Sequence, residues 1–334
     1  MRSKWFSSEP ESERFELFRK VSINGLPVER SSYSSFAGVL PISLPDGIRA
    51  IVYPDAHAPA CHWGVLRGIF NFAEWFRPHL IFNSGDFNDM YALSRHPKSP
   101  KIPVPSDPQE EIEASADLLR LSMQNGPASS KEGRPFWTVI IRGNHEGREE
   151  SALANFNPVW ARYLSPGSRE SITSAQSLMN FSADEPITFI SGTGETGGFD
   201  GAALLNEHVK VKHGRMVKSI PGESARATYE KEQISIIMGH THRLGDSAFE
   251  TKNGELLFGI DGGCLVDWRR PEFDYSTLDH NWHLGFTVLI VHNGRVHAQP
   301  VPIFASPDAS GQIFQWFTYC DQSGEIVVFR CLDD

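Results

Sequence analysis

The chain has 334 residues, of which 40% are hydrophobic and 22% are charged, enough to bury a sizeable core as one large domain or a domain with appendages. Its formal net charge of −10 argues against tight non-specific binding to nucleic acid, which needs many cationic contacts to phosphates. A nuclease is not excluded, because carboxylates that bind metal ions add to the negative charge. One local basic strip is a candidate guide for a polyanion, with a solvated surface as the alternative: Lys210, Lys212, Arg215 and Lys218.

No apolar run approaches the ~20 residues that cross a bilayer, and the amino terminus lacks the long apolar core of a secretory signal. We therefore predict a cytoplasmic protein without a membrane association. The four cysteines form no Cys-x-x-Cys pair, so neither a disulfide framework nor a zinc knuckle is indicated. Buried thiols are expected instead.

Residues 1–46 are treated as an amino-terminal extension of unknown role, with a predicted helix over 11–20. The first core strand is predicted over 48–53 and is followed by Asp55 and His57. Residues two apart on an extended segment point the same way, so these two side chains can bind one ion together.

A helix over 62–76 and a strand over 80–83 complete a predicted βαβ unit. This second strand also leads into acidic residues, Asp86 and Asp89. Further along, a helix over 109–123 has the pattern and length of an amphipathic helix that covers a sheet.

The next predicted strand is the apolar run that ends at Ile141, after which Gly143 breaks the pattern. Asn144 and His145 follow at its carboxyl end. In open α/β sheets ligands bind beyond the carboxyl ends of the strands, where loops gather side chains from several strands. This stretch is therefore predicted to lie at the centre of a site.

Two later strands end in histidines. The strand over 209–212 precedes His213, and the strand over 234–238 precedes His240 and His242. The remaining predicted strands and hairpin, marked by Gly-Gly, Asn-Gly and Ser-Gly turns, lie over 256–260, 286–292, 296–301 and 315–329.

The strand ends together supply oxygen and imidazole donors without cysteine, a set that suits borderline divalent ions such as manganese, iron or zinc. They are too many for one ion but would fill most positions around two ions about 3.5 to 4 Å apart. Asp86 is the candidate bridge, because a carboxylate has two oxygens and can bind both ions. The residues concerned are Asp55, His57, Asp86, Asn144, His145, His213, His240 and His242.

The order of these motifs resembles the calcineurin-like metallophosphoesterase superfamily, in particular phosphoesterases of bacteriophages and bacteria. The resemblance extends over about residues 48–260 and implies an α/β (α+β) fold, a four-layer sandwich of two central mixed β-sheets flanked by helices, here with an amino-terminal extension. The five matching motifs are Asp-x-His at 55–57, Gly-Asp-x-x-Asp at 85–89, Gly-Asn-His-Glu at 143–146, the lone His213, and Gly-His-x-His at 239–242.

The resemblance also sets the expected domain organisation. The catalytic domain is assigned to 47–305, after the extension over 1–46. Segments of about 97–135 and 146–185 are expected to be inserted caps or lids. The carboxyl-terminal tail, 306–334, is predicted to form a hairpin.

For the site, the resemblance implies a role for each residue. His145 is similar to the family's catalytic histidine, which contacts the phosphoryl group or protonates the leaving oxygen, and Asp89 would orient it. Asn144, His145 and Arg142 are the expected substrate-binding residues. The implied metal ligands are Asp55, His57 and His242 for the first ion, Asp86 as the bridge, and Asn144, His213 and His240 for the second.

Two divalent ions are the expected cofactors, with manganese favoured and iron, zinc or nickel as alternatives. One ligand has a competitor, since His208 lies on the same segment as His213. We favour His213, because it ends the strand and precedes a glycine, as in the family.

The expected reaction is hydrolysis of a phosphodiester, in nucleic acid or a cyclic nucleotide, by a metal-activated hydroxide with His145 as general acid. A phosphomonoesterase or protein phosphatase is the alternative, although Met90 and Tyr91 follow Asp89 where serine/threonine phosphatases have Arg-Gly. A non-catalytic metal-binding scaffold would predict missing ligands, and none is missing. A metallo-β-lactamase-like hydrolase would need a His-x-His-x-Asp-His cluster, which the residues after His242 do not provide. The sequence indicates no particular protein partner.

Overall fold

The computed structural model describes most of the predicted core. All of the predicted helix over 11–20 except residues 17 and 20, and the greater part of the predicted caps or lids, lie outside the residues that it describes. Among the described residues no helix is long and apolar enough to span a membrane. The described residues are 17, 20–27, 34–94, 107–124, 137–148, 151–152, 155, 179–182, 185–193, 200–250, 256–274, 281–308, 310–320 and 324–331.

Strands dominate the described part of the chain, and the predicted strands appear within a residue or two of their expected bounds. The strands are β1 (Ser22–Ile23), β2 (Leu26–Pro27), β3 (Ser34–Ala37), β4 (Val39–Ser43), β5 (Arg49–Tyr53), β6 (Leu80–Asn83), β7 (Trp137–Ile141), β8 (Ile187–Ser191), β9 (Ala202–Leu205), β10 (Val209–Lys212), β11 (Ser235–Met238), β12 (Leu244–Glu250), β13 (Leu256–Gly262), β14 (Gly285–His292), β15 (Arg295–Pro302), β16 (Phe304–Pro307), β17 (Ile313–Cys320) and β18 (Ile326–Cys331). The α-helices are α1 (Trp63–Phe76), α2 (Pro108–Gln124) and α3 (Glu223–Glu232), and 3-10 turns cover Tyr91–Leu93, His145–Gly147 and Pro271–Phe273.

Two large mixed sheets form the centre of the fold. One has eight strands in the order β12-β13-β11-β10-β9-β4-β1-β2, and the other has seven in the order β15-β14-β5-β6-β7-β8-β3. β5, β6, β7 and β8 run parallel in the second sheet, and β10, β11 and β13 run parallel in the first. Because neighbouring parallel strands end at the same edge of a sheet, the residues that follow them are brought together.

The parallel strands β5, β6, β7 and β8 of the seven-stranded sheet are buried on both faces, which explains why they read as nearly continuous apolar runs. In β5, Ala50 and Val52 point into a cluster between the two sheets, whereas Ile51 and Tyr53 point into a cluster on the helix side. The inter-sheet cluster also contains Val211 and other residues of the eight-stranded sheet.

Helices cover the outer faces of both sheets. The apolar residues of α1 recur every three or four positions and pack with α2 against the seven-stranded sheet. On the other side, Ala225 and Tyr229 of α3 pack against Ile236 and Met238 of β11. The predicted four-layer arrangement of two mixed sheets between helices is confirmed.

The amino-terminal segment belongs to the sheets. β3 pairs in parallel with β8, and β4 pairs in parallel with β9 and antiparallel with β1. Strands on both sides of the predicted boundary at residue 46 therefore share both sheets. These strands are short and of mixed polarity, so they carry little of the periodicity that reveals a strand in a sequence.

The carboxyl-terminal tail forms a small three-stranded sheet of β16, β17 and β18, in which β17 and β18 are the predicted hairpin. Phe317 and Phe329 lie with their rings 5.8 and 5.1 Å from that of Phe72 on α1. Cys331 is buried beneath the same helix, and Cys61 and Cys264 are buried in other parts of the fold. Cys320, at the end of β17, is exposed. The prediction of buried thiols is thus wrong for Cys320, which ends the strand at the surface.

Helix α3 was not predicted, and part of its stabilisation comes from a distant residue. Asp261 of β13 is buried and accepts hydrogen bonds from the backbone N–H groups of Gly222 (2.8 Å) and Ala225 (3.1 Å) at the start of the helix. Burial raises the pKa of Asp261 to about 6, although these hydrogen bonds oppose the rise.

This raised pKa predicts a pH-dependent stability. The folded state binds the Asp261 proton more tightly than the unfolded chain, whose carboxyl has a pKa near 3.8. The contribution of Asp261 to the free energy of unfolding is therefore full below about pH 4 and falls as the pH rises towards 6. Urea unfolding of the wild type and of Asp261→Asn should show a difference in free energy that changes over this interval and is constant above pH 7. A difference independent of pH would contradict the prediction.

Candidate metal centre

The predicted site residues meet where β5, β6, β7, β10 and β11 end. Backbone hydrogen bonds join the first two loops: the N–H of Asp55 donates to the carbonyl of Gly85 (3.1 Å), and the N–H of His57 donates to the carbonyl of Asp86 (2.9 Å). The loop after β11 is tied to the loop after β5, because both carboxylate oxygens of Asp55 lie 2.9 Å from the N–H of His240. These hydrogen bonds hold the loops after β5, β6 and β11 together around the site.

Several of these residues have an unusual backbone conformation. Non-glycine residues with positive φ are uncommon, and each costs on the order of 1–3 kcal/mol unless the surroundings hold it in place. The hydrogen bonds between the loops provide that support. The residues and their φ values are Asp55 (35°), His57 (53°), Asp86 (51°), His240 (71°) and His242 (57°).

Two motif glycines are required by close approach between loops. A Cβ atom at Gly143 would collide with Asp86 Oδ1, and a Cβ atom at Gly239 would collide with Asp55 Oδ2. Each glycine therefore lets the loop of one strand contact a carboxylate from another strand. This packing explains why a glycine directly precedes the polar residues in both motifs.

A first group of donors is formed by Asp55, His57 and His242. One donor atom from each lies within 4.8 Å of the others. His242 Nε2 is 3.4 Å from Asp55 Oδ1 and 3.1 Å from His57 Nε2. A carboxylate oxygen and two imidazole nitrogens that face one another in this way are suited to hold one cation.

A second group is formed by Asp86, His213 and His240, again with one donor atom from each within 4.8 Å of the others. His213 Nε2 lies 3.3 Å from Asp86 Oδ2, 3.2 Å from His240 Nδ1 and 3.0 Å from Asn144 Oδ1. His213 Nδ1 lies 3.1 Å from the carbonyl of Ser84, and this contact fixes the ring so that Nε2 faces the site.

Asp86 lies between the two groups. Its Oδ2 atom is 3.3 Å from His213 Nε2 in the second group and 3.9 Å from His57 Nε2 in the first, and a further donor group combines Asp86 with His57 and His145. The structure therefore brings together all seven residues predicted as ligands, with the carboxylate predicted as the bridge at the centre.

The electrostatics of the site fit bound cations. Burial alone would lower the pKa of His213, but the Asp86 carboxylate raises it to about 9. Burial and the neighbouring His145 lower the pKa of His57 to about 4. The Asp86 carboxylate thus favours positive charge at His213, whereas burial and His145 disfavour it at His57. Carboxylate, imidazole and amide donors without thiolate fit divalent ions of the manganese, iron and zinc group.

Asp89 contacts two histidines of the site, His145 and His57. His145 Nδ1 lies 2.8 Å from the carbonyl oxygen of Asp89 and 3.1 Å from its Oδ1 atom. The same Oδ1 atom lies 3.0 Å from His57 Nδ1. Burial opposes ionisation of Asp89, yet hydrogen bonds from His145 and His57 hold the pKa of its carboxyl well below the usual range. Asp89 is therefore an ionised group that orients both rings.

Glu146 has a role that the sequence motif did not reveal. Its buried carboxylate accepts hydrogen bonds from the backbone N–H groups of Asp86 (3.0 Å), Asn88 (3.2 Å) and Gly143 (2.6 Å). It thus joins the loops after β6 and β7. The signal available in the sequence was its place in the Gly-Asn-His-Glu motif, which does not specify its partners.

Arg148 was also missed. Its Nη2 atom lies 2.8 Å from His145 Nε2, and its Nη1 atom donates to the carbonyl of Asp89 (2.6 Å). The 3-10 turn over His145–Gly147 brings this arginine back over the histidine three positions earlier. In the sequence, only the spacing of three residues between His145 and Arg148 could have indicated this contact.

Arg142 and His208 belong to none of the donor groups. Arg142 is buried and its side chain packs beside Gly147, so its predicted substrate contact stays a prediction. His208 precedes β10, at the opposite end of that strand from His213. Its Nε2 atom accepts a hydrogen bond from the N–H of Val296 (3.1 Å), which places it outside the site.

The candidate basic strip is largely neutralised on β10. Lys210 and Lys212 lie 2.6 and 2.7 Å from the two carboxylate oxygens of Glu232 on α3. Burial opposes ionisation of Glu232, but hydrogen bonds from both lysines lower its pKa. This arrangement favours a role in holding α3 to the sheet rather than in guiding a polyanion.

Fold and site together define a four-layer α/β protein with a buried carboxylate and histidine centre suited to divalent metal ions. No family model matches the chain, and no curated protein matches it. Similar solved structures include wild-type Vps29 from Entamoeba histolytica complexed with Zn²⁺, at 12% identity over 85% of this chain and 98% of that chain (TM-score 0.34). Vps29 from Chaetomium thermophilum has 9% identity over 85% and 96% (TM-score 0.35), and the Pseudomonas putida nuclease MPE has 11% over 75% and 87% (TM-score 0.28). These values describe a general likeness and identify no substrate.

Proposed function

We propose that the chain is a metal-dependent phosphoesterase of the calcineurin-like superfamily that hydrolyses phosphodiesters of nucleic acids or cyclic nucleotides. The observation that carries the proposal is the position of the Asp86 carboxylate between the two donor groups: it belongs to the group with His213 and His240 and forms a further group with His57 and His145. Two metal ions close together are common in enzymes that hydrolyse phosphoesters, and a carboxylate that lies between them can bind both.

Two divalent ions, with manganese favoured, would be held by the seven ligands around Asp86. Bound there, they would supply Lewis-acid chemistry, because cations lower the pKa of water and stabilise negative charge on phosphoryl oxygens. The first set is Asp55, His57 and His242, and the second is Asn144, His213 and His240.

In this proposal His145 donates a proton to the leaving oxygen. Its Nε2 atom faces Asp86 Oδ2 at 3.8 Å and so points towards the position of the reacting group. Its Nδ1 atom is held by Asp89, which fixes the ring and directs Nε2 inward. Asp89 is thus the positioning residue and His145 the catalytic residue.

The residues after Asp89 argue against a protein phosphatase. Met90 is completely buried, where serine/threonine phosphatases have an arginine. Tyr91 is buried too, and its N–H donates to Glu111 of α2 (2.5 Å). These two positions therefore supply no cationic side chain that could bind the phosphate of a phosphoprotein. A non-catalytic scaffold is disfavoured because each donor of both groups is present and turned inward.

Hydrolysis assays test the proposal. Metal-free protein reloaded with manganese is expected to cleave bis-p-nitrophenyl phosphate faster than p-nitrophenyl phosphate. A matched pair of histidine variants on one strand provides the control: His213→Gln should lose activity by about 10²-fold or more, since a ligand is removed. His208→Gln, at the other end of β10, should keep it. Absence of activity with manganese, iron, nickel and zinc would refute the proposal, and preference for the monoester would redirect it to phosphomonoesters.

A further inference from the structure

Arg148 places a partly exposed positive charge next to His145 at the candidate centre. Its side chain is 17% exposed and follows directly on the 3-10 turn that carries His145. Nη2 lies 2.8 Å from His145 Nε2, the ring nitrogen that also faces Asp86 Oδ2 at 3.8 Å. A group bound next to Asp86 and His145 would therefore lie close to the Arg148 guanidinium.

The hydrogen-bonding capacities of the atoms fix the direction of this contact. The carbonyl oxygen of Asp89 can only accept, so His145 Nδ1 donates to it. A guanidinium can only donate, so His145 Nε2 accepts from Arg148 Nη2. A neutral imidazole nitrogen is a weaker acceptor for this cation than an anionic oxygen. An oxyanion that enters the site offers Arg148 a better partner than the one it has.

Among the described residues Arg148 forms one ion pair, with Asp89, and this pair is long. Asp89 Oδ1 is 3.8 Å from Arg148 Nη1, whereas the same oxygen lies 3.0 Å from His57 Nδ1 and 3.1 Å from His145 Nδ1. The firm contact of Nη1 is the one to the neutral carbonyl of Asp89 (2.6 Å). That bond holds the guanidinium in position and leaves its charge available to an anion.

We propose that Arg148 is a substrate-binding residue that contacts a non-bridging oxygen of the phosphoryl group. This inference rests on the proposed function of the same site and adds to it the residue that recognises the phosphoryl oxyanion. Arginine suits the task, because its planar fork presents two donors to tetrahedral oxyanions. One donor stays on the Asp89 carbonyl while Nη2 moves from His145 to the phosphoryl oxygen. This move frees His145 Nε2 to take up the proton that the proposed function has it donate to the leaving oxygen.

Calorimetric titration of manganese-reloaded protein with inorganic phosphate tests the inference without turnover. Arg148→Met is expected to weaken phosphate binding about 10- to 100-fold, the effect of losing a charge-assisted hydrogen bond. Arg148→Lys should be intermediate, since it keeps the charge but not the fork. Arg226→Met, on the exposed face of α3, is the matched control and should bind phosphate like the wild type. Metal content is measured in each variant.

The outcomes separate this inference from the proposed function. Equal phosphate affinity in the wild type, Arg148→Met and Arg148→Lys would overturn it, even if the wild type hydrolyses phosphodiesters. A loss of turnover with unchanged phosphate affinity would also overturn it, because Arg148 would then act only by positioning His145. A loss of phosphate affinity in a protein that hydrolyses no ester would support the inference and refute the proposed function.

Discussion

Asp86→Asn is expected to lower kcat/KM for bis-p-nitrophenyl phosphate by at least ~10³-fold, the upper range for loss of one preorganised electrostatic contact. The amide keeps the Oδ1 acceptor for the His145 N–H (2.8 Å), so the loops should remain joined. It removes the negative charge that lies between the two donor groups. Bound manganese should therefore fall as well, and metal analysis after gel filtration checks this together with the rate.

Asp261→Asn is the matched control for Asp86→Asn. Asp261 is equally buried and its carboxylate also accepts backbone hydrogen bonds, but those bonds are at the start of α3. This variant should keep both metal and activity. If Asp86→Asn retained two ions per chain and near-normal turnover, the assignment of Asp86 as the shared ligand would be wrong.

His145→Ala is expected to cut turnover by roughly 10²- to 10⁴-fold, the usual contribution of a general acid. Asp89→Asn should act in the same direction, because it weakens the contacts that hold both His145 and His57. Both variants should retain nearly all of their metal, since neither residue is assigned as a ligand. Steady-state kinetics with metal analysis of the same samples provides the measurement.

The leaving group provides a further check on His145. A good leaving group such as p-nitrophenolate needs little protonation, so His145→Ala should be less impaired with it than with an alkyl ester. His208→Ala serves as the control histidine outside the site. Loss of metal from His145→Ala would contradict its assignment as a proton donor.

The central strands and the site residues could be predicted because both depend on local sequence. β5, β6 and β7 are buried on both faces, so each is an apolar run that ends abruptly in polar residues. The convergence of these ends follows from parallel pairing, which aligns the carboxyl ends of neighbouring strands at one edge. The choice of His213 over His208 also followed from position along the strand.

Other features depend on contacts between distant segments and leave no local pattern. α3 is polar on average, and Asp261, far away in sequence, supports its first turn. The partners of Glu146 lie 58 and 60 residues away at Asn88 and Asp86. Arg148 is close to His145 in sequence, but its contact with Asp89 depends on how the loops after β6 and β7 meet.

The left-handed backbone of the ligand residues sets a limit on engineering this protein. Replacing a left-handed residue by glycine is a standard way to raise thermal stability, because glycine adopts positive φ without steric strain. Here that rule would select Asp55, His57, Asp86, His240 and His242. Glycine at any of these five positions would remove a candidate metal ligand together with the strain, so any search for heat resistance has to be screened for metal content at the same time.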